Sequence, residues 1–146
     1  MKIAVGSDHA GLSLKKLIAA HLLANDHDVV DVGTHETTSC DYPDFARRVA
    51  TLVASGEVDR GVLVCGTGQG MAMTANKVPG VRAAVVSDTF SARMVAAHND
   101  ARVLCLGERV VGPGLALACV DAWVATAFEG GRHGRRVAKM EGGDEG

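Results

Sequence analysis

Five short apolar runs alternate with segments of helical periodicity, and this alternation limits the possible folds of the chain more than any other feature. Continuous apolar runs of this kind are typical of strands that are buried on both faces. Strands separated by helices predict an α/β fold with a five-stranded parallel sheet, right-handed crossovers and helices on both faces. The predicted strands are residues 2–6, 28–32, 61–64, 81–86 and 102–106.

The segments between these runs predict five helices, because aliphatic residues recur in them three and four positions apart. The predicted helices are residues 14–24, 41–56, 71–77, 89–97 and 112–124. Gly130 and Gly131 then interrupt the pattern before a basic tail. Residues 142–146 are only glycine and acidic residues, which predicts a disordered end after a single domain over residues 1–141.

Composition and charge exclude several classes of protein. The chain has 146 residues, of which 47% are hydrophobic, so one domain with an aliphatic core is expected. Its net charge is −2, so the protein as a whole has no electrostatic field that would attract nucleic acid or an anionic membrane. No apolar window approaches the roughly 18 residues of a membrane span, and the first residues do not form a leader, which predicts a cytoplasmic protein. Four cysteines without a C-x-x-C pair predict free thiols.

The most distinctive stretch is VLVCGTGQG at residues 62–70, in which a buried strand leads into a turn with three glycines. Glycines allow backbone N–H groups to surround an anion, and ligands of open α/β sheets bind at the carboxyl ends of strands. Met71 occupies the position where a Rossmann dinucleotide motif needs glycine and where a cysteine phosphatase loop needs arginine, and Walker A residues are absent. We therefore predict an active-site turn of another type.

Cys65 lies where this strand becomes a loop. A helix N-terminus favours the thiolate form of a cysteine, so Cys65 can act as a nucleophile or as a base. A buried thiol that only packs in a tight turn is the alternative. The residue pattern alone leaves these three roles open.

Two clusters with histidine follow predicted secondary-structure elements. Asp8 and His9 come directly after the first strand, where we expect them to lie beside Cys65, although Asp8 capping the next helix is an equal alternative. His98 and Asn99 come at the end of the fourth helix. A histidine at this position is more often a helix-terminal cap than a catalyst, because its positive form suits the negative end of the helix dipole.

The tail carries the densest positive charge of the chain, RHGRR at residues 132–136. Such a run is usually a solvated surface, but arginine forks match the geometry of phosphate. The preceding glycines can direct the arginines toward a site, and Arg109 can join them. Because the tail has few apolar residues with which to dock on its own domain, we expect it to reach a neighbouring subunit.

Taken together, these motifs resemble the ribose-5-phosphate isomerase B family, which also includes the galactose-6-phosphate isomerase subunits. Order and spacing agree over nearly the whole chain. The matching segments are GSDHAG at 6–11, DVGTH at 31–35, DYPDFA at 41–46, CGTGQG at 65–70, ANK at 75–77, HND at 98–100, LGERVVG at 106–112 and EGGRHGRRV at 129–137.

The resemblance implies a Rossmann-like three-layer αβα fold and an enzyme that interconverts ribose 5-phosphate and ribulose 5-phosphate without a metal or another cofactor. It also implies a place in the pentose phosphate pathway and a homodimer or dimer of dimers whose active sites use both subunits. An isomerase of a hexose or tetrose phosphate is the nearest alternative. A non-catalytic sugar-phosphate-binding module is a further alternative from a different class.

The resemblance also implies roles for individual residues. Cys65 is the implied base that moves a proton between C1 and C2, and His98 is the implied acid that opens the furanose ring. The residues implied to hold the enediolate oxygens are Thr67 and the amides of Gly66, Gly68, Gln69 and Gly70. Those implied near the sugar hydroxyls are Asp8, Tyr42 and Asn99. Those implied at the phosphate end are His9, Arg109, Arg132 and Arg136.

Few positions depart from the family pattern. Thr74 stands where the family often has alanine, and Arg135 adds a third arginine to the tail. Some relatives have serine in place of the cysteine and use a glutamate a few residues later as base. Because Cys65 is present and position 71 is Met71, the resemblance implies the cysteine mechanism.

Overall fold

The computed structural model describes residues 1–143, and its five strands form one parallel sheet. The strands are β1 (Lys2–Ser7), β2 (Asp28–Asp31), β3 (Arg60–Cys65), β4 (Ala83–Val85) and β5 (Val103–Gly107). Their order in the sheet is β2-β1-β3-β5-β4, and every neighbouring pair is parallel. The predicted five-stranded parallel α/β sheet is confirmed.

Helices cover both faces of the sheet, because alternate residues of its strands project to opposite sides. In β3, Val62 and Val64 join one core, whereas Leu63 and Cys65 join the other. The helices are α1 (Leu12–Ala24), α2 (Tyr42–Ser55), α3 (Gln69–Ala75), α4 (Thr89–Asn99), α5 (Pro113–Val124) and α6 (Arg132–Met140). The α1, α4 and α5 helices pack on the first face and α2 and α3 on the second, which makes three layers. Within residues 1–143, none of these helices has the length and apolarity needed to cross a bilayer.

The fourth strand is shorter than predicted. It was expected over residues 81–86, but β4 has three residues at the edge of the sheet and pairs with β5. The Val81 amide donates to the carbonyl of Val78 in a turn, at 3.2 Å, instead of joining the sheet. The apolar side chain of Val81 therefore packs in the core that α2 and α3 cover, although its backbone does not belong to a strand.

The basic tail forms the helix α6, which packs against α4 of its own chain. The expectation that the tail lacks a docking contact on its own domain is therefore wrong. His133 is 7% exposed and its ring stacks on that of His98, so an imidazole makes the contact that aliphatic residues usually make. The amides of Gly142 and Gly143 bond to carbonyls at the end of α6. The rest of the segment expected to be disordered, residues 144–146, lies outside the described residues.

Candidate active site

A cavity of about 320 Å³ opens at the carboxyl ends of β1 and β3. These strands are neighbours, and the chain leaves them toward opposite edges of the sheet, which makes their ends the switch point where α/β proteins bind ligands. Ser7 at the end of β1 lies opposite Val64, so the residues that follow each strand meet. The cavity is lined by Asp8, His9, Ala10, Tyr42, Cys65, Gly66, Thr67, Gly70 and Arg109.

Cys65 lies at the floor of this cavity with its side chain almost buried. Its Sγ accepts a hydrogen bond from the amide of Gly68 at 3.1 Å. This contact aims a backbone donor at the sulfur and fixes its position at the start of the glycine turn. Gly68 has φ of +81°, and a Cβ there would meet the backbone of Leu106 at 3.0 Å, so the turn that supplies this donor requires glycine.

Two backbone amides of the glycine turn donate hydrogen bonds to side chains of the same turn. The amide of Gly68 binds Cys65, and the amide of Gln69 donates to Thr67 Oγ1 at 3.3 Å. Gly68 and Gln69 also do not line the cavity, whereas Gly66, Thr67 and Gly70 do. Of the residues expected to hold the enediolate oxygens, Gly66, Thr67 and Gly70 therefore line the cavity, whereas the Gly68 amide bonds to the sulfur.

Asp8 and His9 lie beside Cys65, as the topology predicts. Asp8 Oδ1 accepts from the amides of Ala10 at 3.0 Å and Gly11 at 3.2 Å, so the residue caps the following turn and also lines the cavity. His9 Nδ1 faces the amide of Cys40 at 3.2 Å. Since Nδ1 accepts this bond, the neutral ring carries its proton on Nε2, which remains as a donor for an anion.

Tyr42 and Arg109 lie against the glycine turn. A Cβ at Gly70 would be 2.4 Å from Tyr42 Cε1, and a Cβ at Gly66 would be 3.4 Å from Arg109 Nη1. The absence of side chains at both glycines thus lets an aromatic ring and a guanidinium approach the backbone of the turn. Arg109 supplies positive charge to the cavity that contains Cys65.

The remaining predicted site residues form a second group away from this cavity. The α4 helix begins after the carboxyl end of β4 and returns to the start of β5, so His98 and Asn99 lie at the amino-terminal edge of the sheet, opposite Cys65. The α6 helix, which carries Arg132 and Arg136, packs beside them. The predicted site residues of one chain therefore form two groups at opposite ends of its sheet, a first half-site with Cys65 and a second half-site with His98, which one chain does not bring together.

Two residues beside His98 were not singled out from the sequence. The His98 and His133 rings stack with centroids 4.0 Å apart and planes 8° apart, and Glu129 carboxylate oxygens lie 3.8 Å from the Nε2 atom of each ring. Burial, His98 and Arg132 lower the pKa of His133. The family-like segment at 129–137 contains Glu129 and His133, but no spacing rule relates them to His98, which lies in a different helix much earlier in the chain.

Arg82 is a further residue that the sequence did not indicate. Its Nε donates to the carbonyl of Asn99 at 2.9 Å, its Nη2 pairs with Asp100 at 3.1 Å and its Nη1 pairs with Glu141 at 2.9 Å. Arg82 thereby joins the end of α4 to the end of α6 and positions the second half-site. A larger cavity of about 480 Å³ adjoins this network, and of its charged lining residues Lys77, Arg82 and Glu141 the last two are already paired with each other.

Lys15 supports the cavity at the other end of the sheet. It is 1% exposed, and its Nζ donates to Asp31 Oδ1 at 2.7 Å and to the carbonyl of Thr34 at 2.6 Å. These contacts hold the start of the loop that carries Cys40 to His9. A lysine inside an apolar helical pattern is the signal that could have indicated this anchor.

Comparison with known proteins gives consistent matches over the whole domain. The family model described as Ribose/Galactose Isomerase matches residues 3–140. Ribose-5-phosphate isomerase B of Escherichia coli K12 is 51% identical over 136 residues, which are 93% of this chain and 91% of that protein.

Solved structures agree with these matches. Ribose-5-phosphate isomerase B of Clostridium thermocellum superposes with a TM-score of 0.96 at 54% identity, over 97% of this chain and 96% of that one. The enzyme of Mycoplasma genitalium with bound ribulose-5-phosphate superposes with a TM-score of 0.93 at 44% identity, over 96% and 93% of the two chains.

Proposed function

Because the chain belongs to the ribose/galactose isomerase family, we propose that it interconverts ribose 5-phosphate and ribulose 5-phosphate through an enediolate. The observation that carries this proposal is the Gly68 hydrogen bond to Cys65 Sγ in a cavity lined by Asp8, His9 and Arg109. A thiolate, a carboxylate and cationic or donor groups are the side chains that proton transfer on a phosphorylated sugar requires. The ribulose-5-phosphate in the Mycoplasma genitalium structure supports the choice of sugar.

The chemical step is a proton transfer between neighbouring carbons. The Cys65 thiolate removes the C2 proton of the open-chain aldose, and the electron pair of that C–H bond forms the C1–C2 double bond of the enediolate. The Thr67 hydroxyl and the amides of Gly66 and Gly70 donate to the oxygens on which negative charge develops, and each such donor contributes about 3 kcal/mol. Transfer of the O2 hydroxyl proton to O1 and return of the carbon-bound proton from Cys65 to C1 give the ketose and regenerate the thiolate.

The phosphate lies away from the reacting carbons and orients the sugar. Arg109 and the Nε2–H of His9 are the donors on the chain that supplies Cys65. Binding energy at this remote group lowers the barrier when it holds the carbons in the reacting geometry.

The second half-site supplies the remaining groups from another copy of the chain. His98 protonates the ring oxygen of the furanose as the hydroxyl on C1 loses its proton to solvent water, which opens the ring to the aldehyde. Asn99 binds a sugar oxygen, and Arg132 and Arg136 bind the phosphate. Since His98 and Cys65 lie at opposite ends of one sheet, a homodimer or dimer of dimers completes each site. We place this enzyme in the cytoplasm, where free thiols stay reduced.

Mixing two inactive variants tests both the function and the shared site. In a heterodimer of Cys65→Ala and Arg132→Ala chains, one site carries both substitutions and the other carries neither. Random mixing makes half of the dimers mixed, so we expect about a quarter of wild-type activity on ribose 5-phosphate. Cys65→Ala chains mixed with tagged Cys65→Ala chains are the inactive control. An absence of rescue in verified mixed dimers would reject the shared site.

Turnover of a hexose phosphate is the second candidate, because the matching family description includes galactose as well as ribose. Assays of the purified protein with five-carbon and six-carbon aldose phosphates separate the two. We expect the higher kcat/KM with ribose 5-phosphate. An equal or higher value with a hexose phosphate would overturn the ribose assignment.

A further inference from the structure

A group of metal-ligating side chains lies outside the cavity that contains Cys65. His98, Glu129 and His133 each offer a ligand atom, and these atoms all lie within 4.8 Å of one another. Both imidazole Nε2 atoms face the Glu129 carboxylate, one toward each oxygen, at 3.8 Å.

The fold assembles this group from three separate segments. The Glu129 amide donates to the carbonyl of Ala97 at 3.0 Å, which ties the loop to the turn of α4 that carries His98. The His133 amide donates to the carbonyl of Gly130 at 3.0 Å at the start of α6, and its ring is 7% exposed. The three side chains are therefore brought together by backbone bonds that exist without a metal.

Two imidazoles and one carboxylate are the protein ligands of many zinc sites, in which a fourth position stays open. Zinc bonds of about 2.0–2.2 Å place neighbouring ligand atoms about 3.4 Å apart in a tetrahedron, so each contact of 3.8 Å must shorten by a few tenths of an ångström. The rings are stacked, so the His98 ring must also rotate to direct its Nε2 toward the ion. The His98 and Glu129 side chains are 36% and 56% exposed, which leaves room for this movement.

The charged residues around the group allow a cation to bind only when the His98 and His133 rings are neutral. Arg132 and Arg136 add positive charge, whereas Glu129 opposes it. Zinc binding at this group therefore requires neutral imidazoles and should weaken as the pH falls.

We propose that His98, Glu129 and His133 bind one Zn²⁺ per chain and that the bound ion reversibly inhibits the isomerase by occupying His98. The binding depends only on these three side chains. The inhibition rests on the proposed function, because it requires His98 to act on the substrate.

Calorimetric titration of the full-length, EDTA-treated protein with Zn²⁺ tests the site without an activity assay. We expect one ion per chain, and weaker binding by at least about tenfold in Glu129→Gln and in His133→Ala. His21→Ala is the matched control, because His21 pairs with Asp121 at 2.7 Å on a different surface and should not affect binding. Cys65→Ala should also retain binding. Circular dichroism verifies that each variant is folded.

Unchanged affinity in folded Glu129→Gln, or loss of zinc binding in Cys65→Ala, would overturn the proposed site. Activity is measured separately, with and without Zn²⁺ and then with EDTA. We expect zinc to inhibit the wild type and EDTA to restore activity, with the inhibitory concentration raised at least tenfold in Glu129→Gln. Zinc binding in a protein that isomerises no sugar phosphate would reject the proposed function but keep the metal site, whereas an active enzyme that binds no zinc would reject the metal site alone.

Discussion

The amide of Gly68 donates a hydrogen bond to Cys65 Sγ over 3.1 Å, and this contact connects the conformation of the glycine turn to the chemistry of the thiol. Gly68 adopts φ of +81°, a conformation that side chains strongly disfavour. The same residue type that allows the turn therefore aims a backbone donor at the sulfur.

We predict that Cys65→Ala abolishes exchange of the substrate C2 proton with solvent and leaves phosphate binding largely intact. Loss of a positioned general base reduces the rate by about 10²- to 10⁴-fold, whereas Arg109 and His9 remain in place. Proton exchange is followed by NMR in deuterated water, and binding by titration with a sugar phosphate. Cys40→Ala is the control, because this substitution keeps the backbone amide of residue 40, which donates to His9 Nδ1. Exchange at the wild-type rate in Cys65→Ala would reject Cys65 as the base, whereas an absence of exchange in the wild type itself would favour a binding module.

Gly70→Ala is expected to impair the active site through Tyr42. The new Cβ would lie 2.4 Å from Tyr42 Cε1, so the ring, which lines the cavity, must move from its present position. We expect kcat/KM to fall by at least about tenfold, since a misplacement of about 1 Å can cost a factor of a hundred. Gly114→Ala is the matched control, because its added methyl group would meet no atom of residues 1–143 within 4 Å beyond its own helix and chain neighbours. Equal steady-state kinetics of the two variants would contradict the role of this contact.

Arg82→Ala is expected to loosen the second half-site. It removes the bonds that join Asn99, Asp100 and Glu141, and a bond to a charged group contributes about 1.5–3 kcal/mol. We expect a loss of about 2 kcal/mol in the free energy of unfolding, measured in urea, and a higher KM. The control is Arg93→Ala, an exposed arginine whose guanidinium lies 6.0 Å from the Phe90 ring centre. If Arg82→Ala matches this control in both measurements, the positioning role is wrong.

The buried thiol of Cys105 predicts a loss of stability at alkaline pH. Burial, and secondarily Cys65, raises the pKa of Cys105 in the folded chain, so the folded state keeps this proton at a pH where the unfolded chain releases it. The contribution is fully present below the unfolded pKa of about 8.5 and is lost as the pH rises above it.

Between about pH 7.5 and 9.5 the wild type should therefore lose about 1.4 kcal/mol more of its unfolding free energy than Cys105→Ala does. Urea unfolding at the two pH values measures this difference. Cys40→Ala, in which a partly exposed loop thiol is removed, is the control for the substitution itself. An identical pH dependence in the wild type and Cys105→Ala would show that Cys105 does not titrate in this way.

Much of the first half-site could be predicted from the sequence. Apolar runs located the five strands, and the rule that ligands bind at the carboxyl ends of parallel strands placed Asp8 beside Cys65. This inference needs only the order of strands and helices, because the residues at the carboxyl end of a strand are known once the strand itself is predicted. The sequence did not predict that the Gly68 amide donates to Cys65 Sγ, since this bond depends on the backbone geometry of the turn.

The arrangement of residues in the second half-site depends on tertiary contacts and could not be predicted from the sequence. The segment RHGRRVAKM of α6 has few apolar residues and an internal glycine, so hydrophobic periodicity does not indicate a docked helix. His133 docks by stacking on His98, and Arg82 joins residues that are distant along the chain. The sequence by itself determined the order of strands and helices and the residues at the ends of β1 and β3, because local periodicity encodes both. Only the tertiary structure placed His98 and Cys65 at opposite ends of the sheet, because that separation depends on how α4 returns across it.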